Sequence, residues 1–451
     1  MGGWIDILPP QVRGMLEGRL NLQKILVNTG WLLFDRIFRM GVGLFVGVWV
    51  ARYLGPEQFG LLNYAMSFTA VVGSFAALGL ESIVVREIVQ NELRKNELLG
   101  TALGLRVLGN FVVIALNVLF ITTSMHEPSN VQFLVIIIAI GFFFQSFDTF
   151  DYWFQAKVQS NYSVVAKNIA FLLVSLLKVV AILLHAPLIY FALLATVEVF
   201  FGAVGLVLAY RVHGNLLRGL SYSWTIARKY LRDGWPIMFS SVAIVIYMKI
   251  DQVMIGRMIN TEAVGVYAAA VKIVEIWYFI PSAITISVFP TILEAKKTDA
   301  VLYEKRMQQL YDVMAMLSVG LAVIVTIFAT PIMSLLYGKE YLSGIPVLTI
   351  YIWSGVGTFL GVASSQFLIA ENLTRISLYR TMLGMISNVV LNLVLIPKYG
   401  IIGSAVATLI SYLIATFSLV LFSSTRAQAS MLLRSLLTLG LWNVRRKVSG
   451  V

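Results

Sequence analysis

The sequence predicts an all-α polytopic membrane protein of about twelve transmembrane helices, arranged as two six-helix lobes. Three observations carry that prediction: the composition, the lengths of the apolar runs, and the placement of Lys and Arg between them. Of 451 residues, 59% are hydrophobic and 12% are charged, against about 45–50% and about 25% in soluble domains. One soluble core could not hide that much apolar surface. An ordinary cytosolic enzyme, a disordered chain and a nucleic-acid-binding module are therefore excluded. Cysteine is absent, and the three histidines, His126, His185 and His213, lie between apolar runs. No disulfide, thiol nucleophile or His-based haem or zinc site is expected.

A helix needs about 20 residues to cross a hydrocarbon core of roughly 30 Å. Runs of sufficient length fall at 25–51, 57–85, 98–122, 131–155, 161–184, 188–210, 233–256, 263–290, 307–330, 344–369, 374–396 and 401–423. Turn residues punctuate the breaks, among them Leu54-Gly55-Pro56, Glu127-Pro128-Ser129-Asn130, Ala186-Pro187 and Pro397-Lys398-Tyr399-Gly400. Residues 1–24 lack a signal-peptide cleavage pattern and read as a cytoplasmic segment on the membrane surface. With that end inside, 22 of the Lys and Arg residues fall on the cytoplasmic side and 4 on the other. This is the positive-inside bias, and it places both termini in the cytoplasm. The net charge of +12 is thus read as a topology signal. The chain divides into an N-lobe at 25–210, an amphipathic cytoplasmic linker at 211–232, a C-lobe at 233–423 and a basic amphipathic tail at 424–451.

The lobes carry a faint repeat. Shifted by 205 positions, 51–65 aligns with 256–270 and pairs Arg52 with Arg257, Glu57 with Glu262, Gly60 with Gly265 and Ala65 with Ala270. Both segments sit at the outer turn between the first and second spans of a lobe. Repeats of that kind place a substrate path between the lobes.

Eight cations remain inside spans: Arg36, Arg39, Arg106, Lys167, Lys178, Lys249, Lys272 and Arg380. Each costs about 2.5–3.5 kcal/mol at the bilayer centre on insertion scales, so most must face a paired or aqueous interior. Asp35 with Arg39 and Lys272 with Glu275 are spaced to pair on one helical face. Arg36 and Lys249 have no acid at helical spacing. Lys167, Arg106 and Arg380 lie nearer the cytoplasmic face and can also snorkel. Arg36, Arg39, Arg106, Lys249, Lys272 and Arg380 are the candidate ligands for an anion, since guanidinium forks and ammonium groups suit phosphate oxygens. No catalytic constellation, phosphate-cradling loop or long extramembrane loop is present, so the chain is read as a transporter and not an enzyme.

At these residues a family enters. VGVWVARYLGPEQFGLLNYAMSF (46–68), LGLESIVVREI (78–88) and NLVLIPKYGIIGSAVATLISY (392–412) resemble Wzx-type polysaccharide and O-antigen flippases, in the multidrug/oligosaccharidyl-lipid/polysaccharide exporter superfamily. DQVMIG…EAVGVYAAAVKI (251–273) resembles the start of that family's second half. The resemblance implies a V-shaped exporter fold in the inner (cytoplasmic) membrane. It implies alternating access of an undecaprenyl-diphosphate-linked oligosaccharide, moved from the inner to the outer leaflet beside a glycan polymerase and a chain-length regulator. Membrane lipids are the other partner; nucleic acid is not one. A drug or organic-cation antiporter of the same fold is the alternative, because fold does not settle function.

Peptidoglycan-precursor flippases of the superfamily hold sodium in the second lobe. Similarity to them implies a cation-coupling site at Asp251, Asn388, Asn392 and Thr408, with two amides where that pattern is more acidic. Interhelical amide hydrogen bonding is the competing expectation for the same residues. No resident cofactor is expected; a Na+ or H+ gradient or the membrane potential is the candidate energy source.

Overall fold

The computed structural model describes residues 20–123 and 129–438. The leader through residue 19, the turn at 124–128 with His126 and the basic end with Arg445, Arg446 and Lys447 lie outside the described residues. Among those described, every regular element is helical: α1 (Leu20–Gly73), α2 (Leu80–Gln90), α3 (Lys95–Thr123), α4 (Ser129–Gln145) and α5 (Thr149–Ala156). There follow α6 (Ser160–Leu183), α7 (Leu188–Val212), α8 (Trp224–Met258), α9 (Thr261–Glu275), α10 (Phe279–Thr298) and α11 (Ala300–Ile327). The chain continues through α12 (Ala329–Leu336), α13 (Ile345–Tyr351), α14 (Ser354–Ala370), α15 (Thr374–Phe417) and α16 (Arg426–Thr438).

Nine helical segments among the described residues are long and apolar enough to cross a membrane, and α13 with α14, bent by 43°, makes a tenth. Two of the ten are double. α1 runs for 54 residues, about 80 Å at 1.5 Å per residue, more than twice a hydrocarbon core. It breaks at Gly55, whose φ of +69° precedes Pro56. α15 breaks at Gly400, with φ +59°, after Pro397. A Cβ on Gly403 would fall 2.2 Å from the Leu395 carbonyl oxygen, a contact between residues eight apart that no straight helix makes. Each break reverses the chain, so the crossings number twelve, as the apolar runs predict.

The connections alternate between two faces. One, the basic face, carries the turns near 91–94, 157–159, 213–223, 298–299 and 371–373; the other carries those near Gly55, 184–187, 259–260, 337–344 and Gly400. Packing differs between the halves. Toward the opposite face a single core mixes the lobes, with Ala51, Phe59, Tyr64 and Phe191 against Val264, Tyr267, Tyr341 and Tyr351. Toward the basic face there are two cores. One holds Leu80, Leu99, Phe150, Trp153 and Tyr210; the other holds Ile292, Met307, Tyr311, Phe359 and Leu432. Two cores on one side and one on the other describe a V whose arms part toward the basic face.

α8 bridges the arms. Its helix begins at Trp224, within the segment expected as a linker, and Ile226, Ala227 and Tyr230 are buried in the N-lobe core. Further along it packs against α15 in the C-lobe. The linker's last turns are thus the start of the seventh span, anchored on the other lobe. The described part of the tail also docks: α16 buries Ala429 and Leu432 in the C-lobe core. Tyr311 donates to Gln428 at 2.8 Å, and Gln308 donates to Ser435 at 2.7 Å.

Candidate functional site: a charged cleft beneath a closed seam

The arms of the V meet along α1 and α9. A Cβ on Gly60 would lie 1.7 Å from the Thr261 carbonyl oxygen, and one on Gly265 would lie 2.0 Å from that of Pro56. These contacts are the two copies of one contact under the 205-residue repeat, so the repeat segments pack on each other about a pseudo-two-fold axis. Side chains larger than hydrogen are excluded at both glycines because helix backbones occupy the space. Cross-lobe hydrogen bonds line the same seam. Arg52 donates through Nε to the Leu336 carbonyl at 2.7 Å and through Nη2 to that of Leu335. Tyr341 donates to the Ala51 carbonyl at 2.7 Å, and Ser67 donates to Gln252 at 2.8 Å. Arg257, the repeat partner of Arg52, reaches the Tyr64 hydroxyl of the other lobe at 3.4 Å. Above the seam, a pocket of about 1,070 Å³ lined by Glu57, Gln58, Asn130, Arg257 and Asn260 opens to the opposite face.

Below the seam lie the charges. Lys178 of α6 pairs with Glu198 of α7 at 3.3 Å, and Lys249 of α8 pairs with Glu275 of α9 at 3.2 Å. Lys272 lies within electrostatic range of all four. Its Nζ would be 3.3 Å from a Cβ on Gly47 of α1, so the ammonium crosses that helix where no side chain stands. Three lysines and two glutamates, drawn from both lobes, form one half-buried cluster with a net charge of +1. This corrects the expected pairing of Lys272 with Glu275. Glu275 faces Lys249 instead, and helical spacing within α9 could not reveal a partner on α8.

A second group sits in the N-lobe. Arg39 pairs with Asp35 at 2.8 Å and lies over the Phe171 ring at 5.2 Å, with its Nη2 buried and without a hydrogen bond. Lys167 bridges Asp148 at 3.0 Å and Asp151 at 3.1 Å. Arg39, Asp148, Lys167 and Glu198 line a small cavity of about 190 Å³, so Glu198 connects this group to the cross-lobe cluster.

The remaining candidate cations lie elsewhere. Arg106 is buried in the N-lobe, donating to the Tyr152 hydroxyl at 2.5 Å and the Gln145 carbonyl at 3.0 Å. Arg380 is buried in the C-lobe, donating to Ser364 and Ser365 at 2.6 Å each and to the Gly361 carbonyl at 3.0 Å. Both brace neighbouring helices. Arg36 is exposed on α1, with no ion-pair partner among the described residues.

The four residues expected to hold a cation do converge. Asp251 is 1% exposed, and its Oδ2 accepts from Tyr267 at 2.5 Å and Thr408 at 3.2 Å. Asn388 donates to Thr408 at 3.3 Å, and Asn392 donates to Asn388 at 3.1 Å. Amide bonding therefore accounts for part of the cluster. It leaves Asp251 Oδ1 and Asn392 Oδ1 buried without partners. With Ser404 Oγ, likewise buried without a partner, these make three orphaned oxygens, one of them on a carboxylate, donors of the kind a hard cation takes. Tyr267, and Ser404 beside it, complete the cluster. Neither was a candidate from sequence; Ser404 stands four residues before Thr408 on one helical face, a signal that could have found it. Lys178 and Glu198 were legible as deep charges, but nothing in their spacing tied them to the C-lobe lysines.

Twelve crossings in two lobes, closed at one face and parted at the other around a charged cleft, define a transporter-type membrane fold. The chain belongs to the polysaccharide biosynthesis protein family, whose model matches residues 25–296; the MatE model matches 236–394. It is 31% identical to the probable flippase AglR of Haloferax volcanii over 42% of this chain and 39% of that one. It is 20% identical to a putative O-antigen transporter of Shigella flexneri over 85% of this chain and 94% of that one. Two solved structures share the fold. An inward-facing multidrug resistance MATE family transporter has TM-score 0.71 and 17% identity, covering 88% of this chain and 95% of its own. The lipid II flippase MurJ in an inward closed conformation has TM-score 0.70 and 16% identity, covering 93% of each chain.

Proposed function

We propose that this protein is a flippase for lipid-linked oligosaccharides, moving a polyprenyl-diphosphate carrier and its glycan between leaflets by alternating access. The observation that carries this reading is the lysine cluster of Lys178, Lys249 and Lys272, contributed by both lobes at the floor of the V. A diphosphate can bridge such a cluster, and a low-dielectric cleft strengthens each charge-assisted bond. Binding there exchanges lysine–glutamate pairs for lysine–phosphate contacts across the lobes. The family membership and the flippase and O-antigen names of its relatives support the same substrate class.

In this reading the basic face is cytoplasmic, as the distribution of Lys and Arg supports, and the membrane is the inner one. Undecaprenol is the carrier that the sequence resemblance implies, and a glycan polymerase and chain-length regulator act downstream. The seam must open for release, delivering the glycan to the pocket above it. Asp251, Asn388, Asn392 and Thr408, with Tyr267, would hold the coupling cation, whose contribution is a positive charge that the orphaned oxygens satisfy.

The MatE match favours a second reading, an organic-cation antiporter. A net-positive cluster opposes it. One experiment separates the two. The double reversal Lys249→Glu with Lys272→Glu, made at normal protein level, should abolish glycan export and leave lipid-linked precursor in the inner leaflet. Wild-type export in that variant, or organic-cation efflux by the unmodified chain that the reversal abolishes, sinks the flippase reading. For coupling, Asp251→Asn should remove sodium dependence of transport while protein level holds. Unchanged sodium dependence returns those amides to a structural role.

A further inference from the structure

On the basic face, away from the lysine cluster, α2, the start of α3 and the first turns of α8 enclose a pocket of about 510 Å³. Four cations line it: Arg94, Arg228, Lys229 and Arg232; Glu87 is the one acid among the lining residues. Lys229 pairs with Glu87 at 2.9 Å, Arg94 with Glu97 at 2.9 Å and Arg232 with Asp233 at 3.2 Å. Arg228 has no carboxylate partner among the described residues. Tyr230, fully buried in the pocket wall, has a hydroxyl with no hydrogen-bond partner. A buried donor without an acceptor costs free energy that a ligand oxygen would recover. The pocket therefore offers excess positive charge and an idle donor, the complement of a phosphate group.

The surrounding surface says where that phosphate comes from. Trp224, Leu231, Trp235 and Phe239, spaced seven, four and four residues apart, share one face of α8 with Arg228, which splits the first gap, and all are exposed. Such a stripe lies at the headgroup boundary of a bilayer, with its rings among the glycerol and upper acyl chains. Arg228 belongs to both the stripe and the pocket lining, so the pocket opens at headgroup depth. We propose that this pocket binds a lipid-borne phosphate, with the lipid's glycerol or first prenyl units lying against the aromatic stripe. Basic pockets between helices on this side of a membrane suit anionic headgroups. Because α8 joins the lobes, a lipid seated at its start would hold that helix against the N-lobe. The inference requires only that the chain be embedded in a membrane, not that it flip glycans.

The test uses the purified full chain in detergent, titrated with phosphatidylglycerol, with phosphatidylcholine and with undecaprenyl phosphate. The readouts are bound lipid by native mass spectrometry and the shift in melting temperature. The wild type should retain phosphatidylglycerol or undecaprenyl phosphate over zwitterionic phosphatidylcholine. Arg228→Glu with Arg232→Glu, both exposed positions, should weaken that retention by about tenfold or more. Tyr230→Phe keeps the buried ring and should weaken it several-fold. Loss confined to phosphatidylglycerol assigns the site to bilayer lipid. Loss confined to undecaprenyl phosphate assigns it to the carrier. Equal retention of every lipid by wild type and both variants overturns the proposal. Arg375→Glu, an exposed cation in the other lobe and outside both sites, should leave retention of phosphatidylglycerol unchanged; retention is read without glycan export, so failure of the transport reading and failure of this one are distinguishable.

Discussion

The seam and the cleft lie on the same helices yet are built from opposite materials. At the seam, α1 and α9 touch backbone to backbone through Gly60 and Gly265, and the polar contacts across it end largely on carbonyl oxygens. At the cleft, Lys272 of α9 crosses α1 at Gly47, and the contacts are between charged side chains. Dispersion and close packing fall off within fractions of an ångström, so the seam has one good geometry and resists partial opening. Charged side chains on long stems tolerate changes of partner. The difference teaches how one molecule can be closed on one side and parted on the other: a short-range seam sits above a longer-range charged cleft, the receptor in the proposed function.

Breaking the gate should have the largest effect. Gly60→Ala or Gly265→Ala places a methyl group inside the volume of a backbone carbonyl. Overpacking of that sort costs about 1–3 kcal/mol, which shifts the closed state by about 5- to 150-fold. A cysteine introduced at Glu198, below the seam in the naturally Cys-free chain, should then label faster from the opposite face. Unchanged labelling would show that the seam does not close the path.

Disarming the receptor comes next. Lys249→Ala should lower export by about 10- to 100-fold, from loss of a charge-assisted bond of roughly 1.5–3 kcal/mol. It also leaves Glu275 without its partner, so Glu275→Gln should restore protein level but not export. Lys249→Arg, which keeps the charge, should retain most of the activity. Recovery of export in the Lys249→Ala, Glu275→Gln double variant would reduce the cluster to a fold-stabilising pair.

The braces sharpen the comparison. Arg380→Ala removes three hydrogen bonds within the C-lobe and should lower the melting temperature before it lowers intrinsic transport. Loss of export at unchanged melting temperature would move Arg380 into the receptor. Arg52→Ala strips a latch from the seam and should shift the closed state only about 2- to 10-fold, because its bonds are exposed. Arg36→Ala should change stability by no more than about 0.5 kcal/mol, as for surface positions without partners. A larger shift in a thermal melt would place Arg36 in a contact that the ground state does not show.

Twelve crossings were legible in the sequence because crossing a bilayer is a one-dimensional requirement: enough apolar residues in a row, ended by turn residues, with cations sorted by side. Even the breaks at Gly55-Pro56 and Pro397–Gly400, where one helix ends and the next begins with no intervening loop, were marked by the residues that permit them. The repeat was legible for a related reason. Gly60 and Gly265 occupy equivalent places, and a pseudo-two-fold contact selects the same small residue twice. The grouping of Asp251 with Asn388, Asn392 and Thr408 came from resemblance, and hydrogen bonds across α8, α9 and α15 join these residues.

The pair within one helix, Asp35 with Arg39, was legible from spacing; partnership among charges on different helices was decided only by the tertiary structure. Sequence spacing reports neighbours within one helix, and it set Lys272 against Glu275; packing gave Glu275 to Lys249 and put Lys178 and Glu198 beside them from another lobe. It also withdrew Arg106 and Arg380 into lobe interiors, where serine, tyrosine and carbonyl oxygens satisfy them without an acid. Whether the V is open or closed was likewise beyond the sequence. Membrane insertion depends on the summed hydropathy of each span, which the order of residues specifies. The pairing of buried charges depends on distances between helices, and those exist only once the helices have packed.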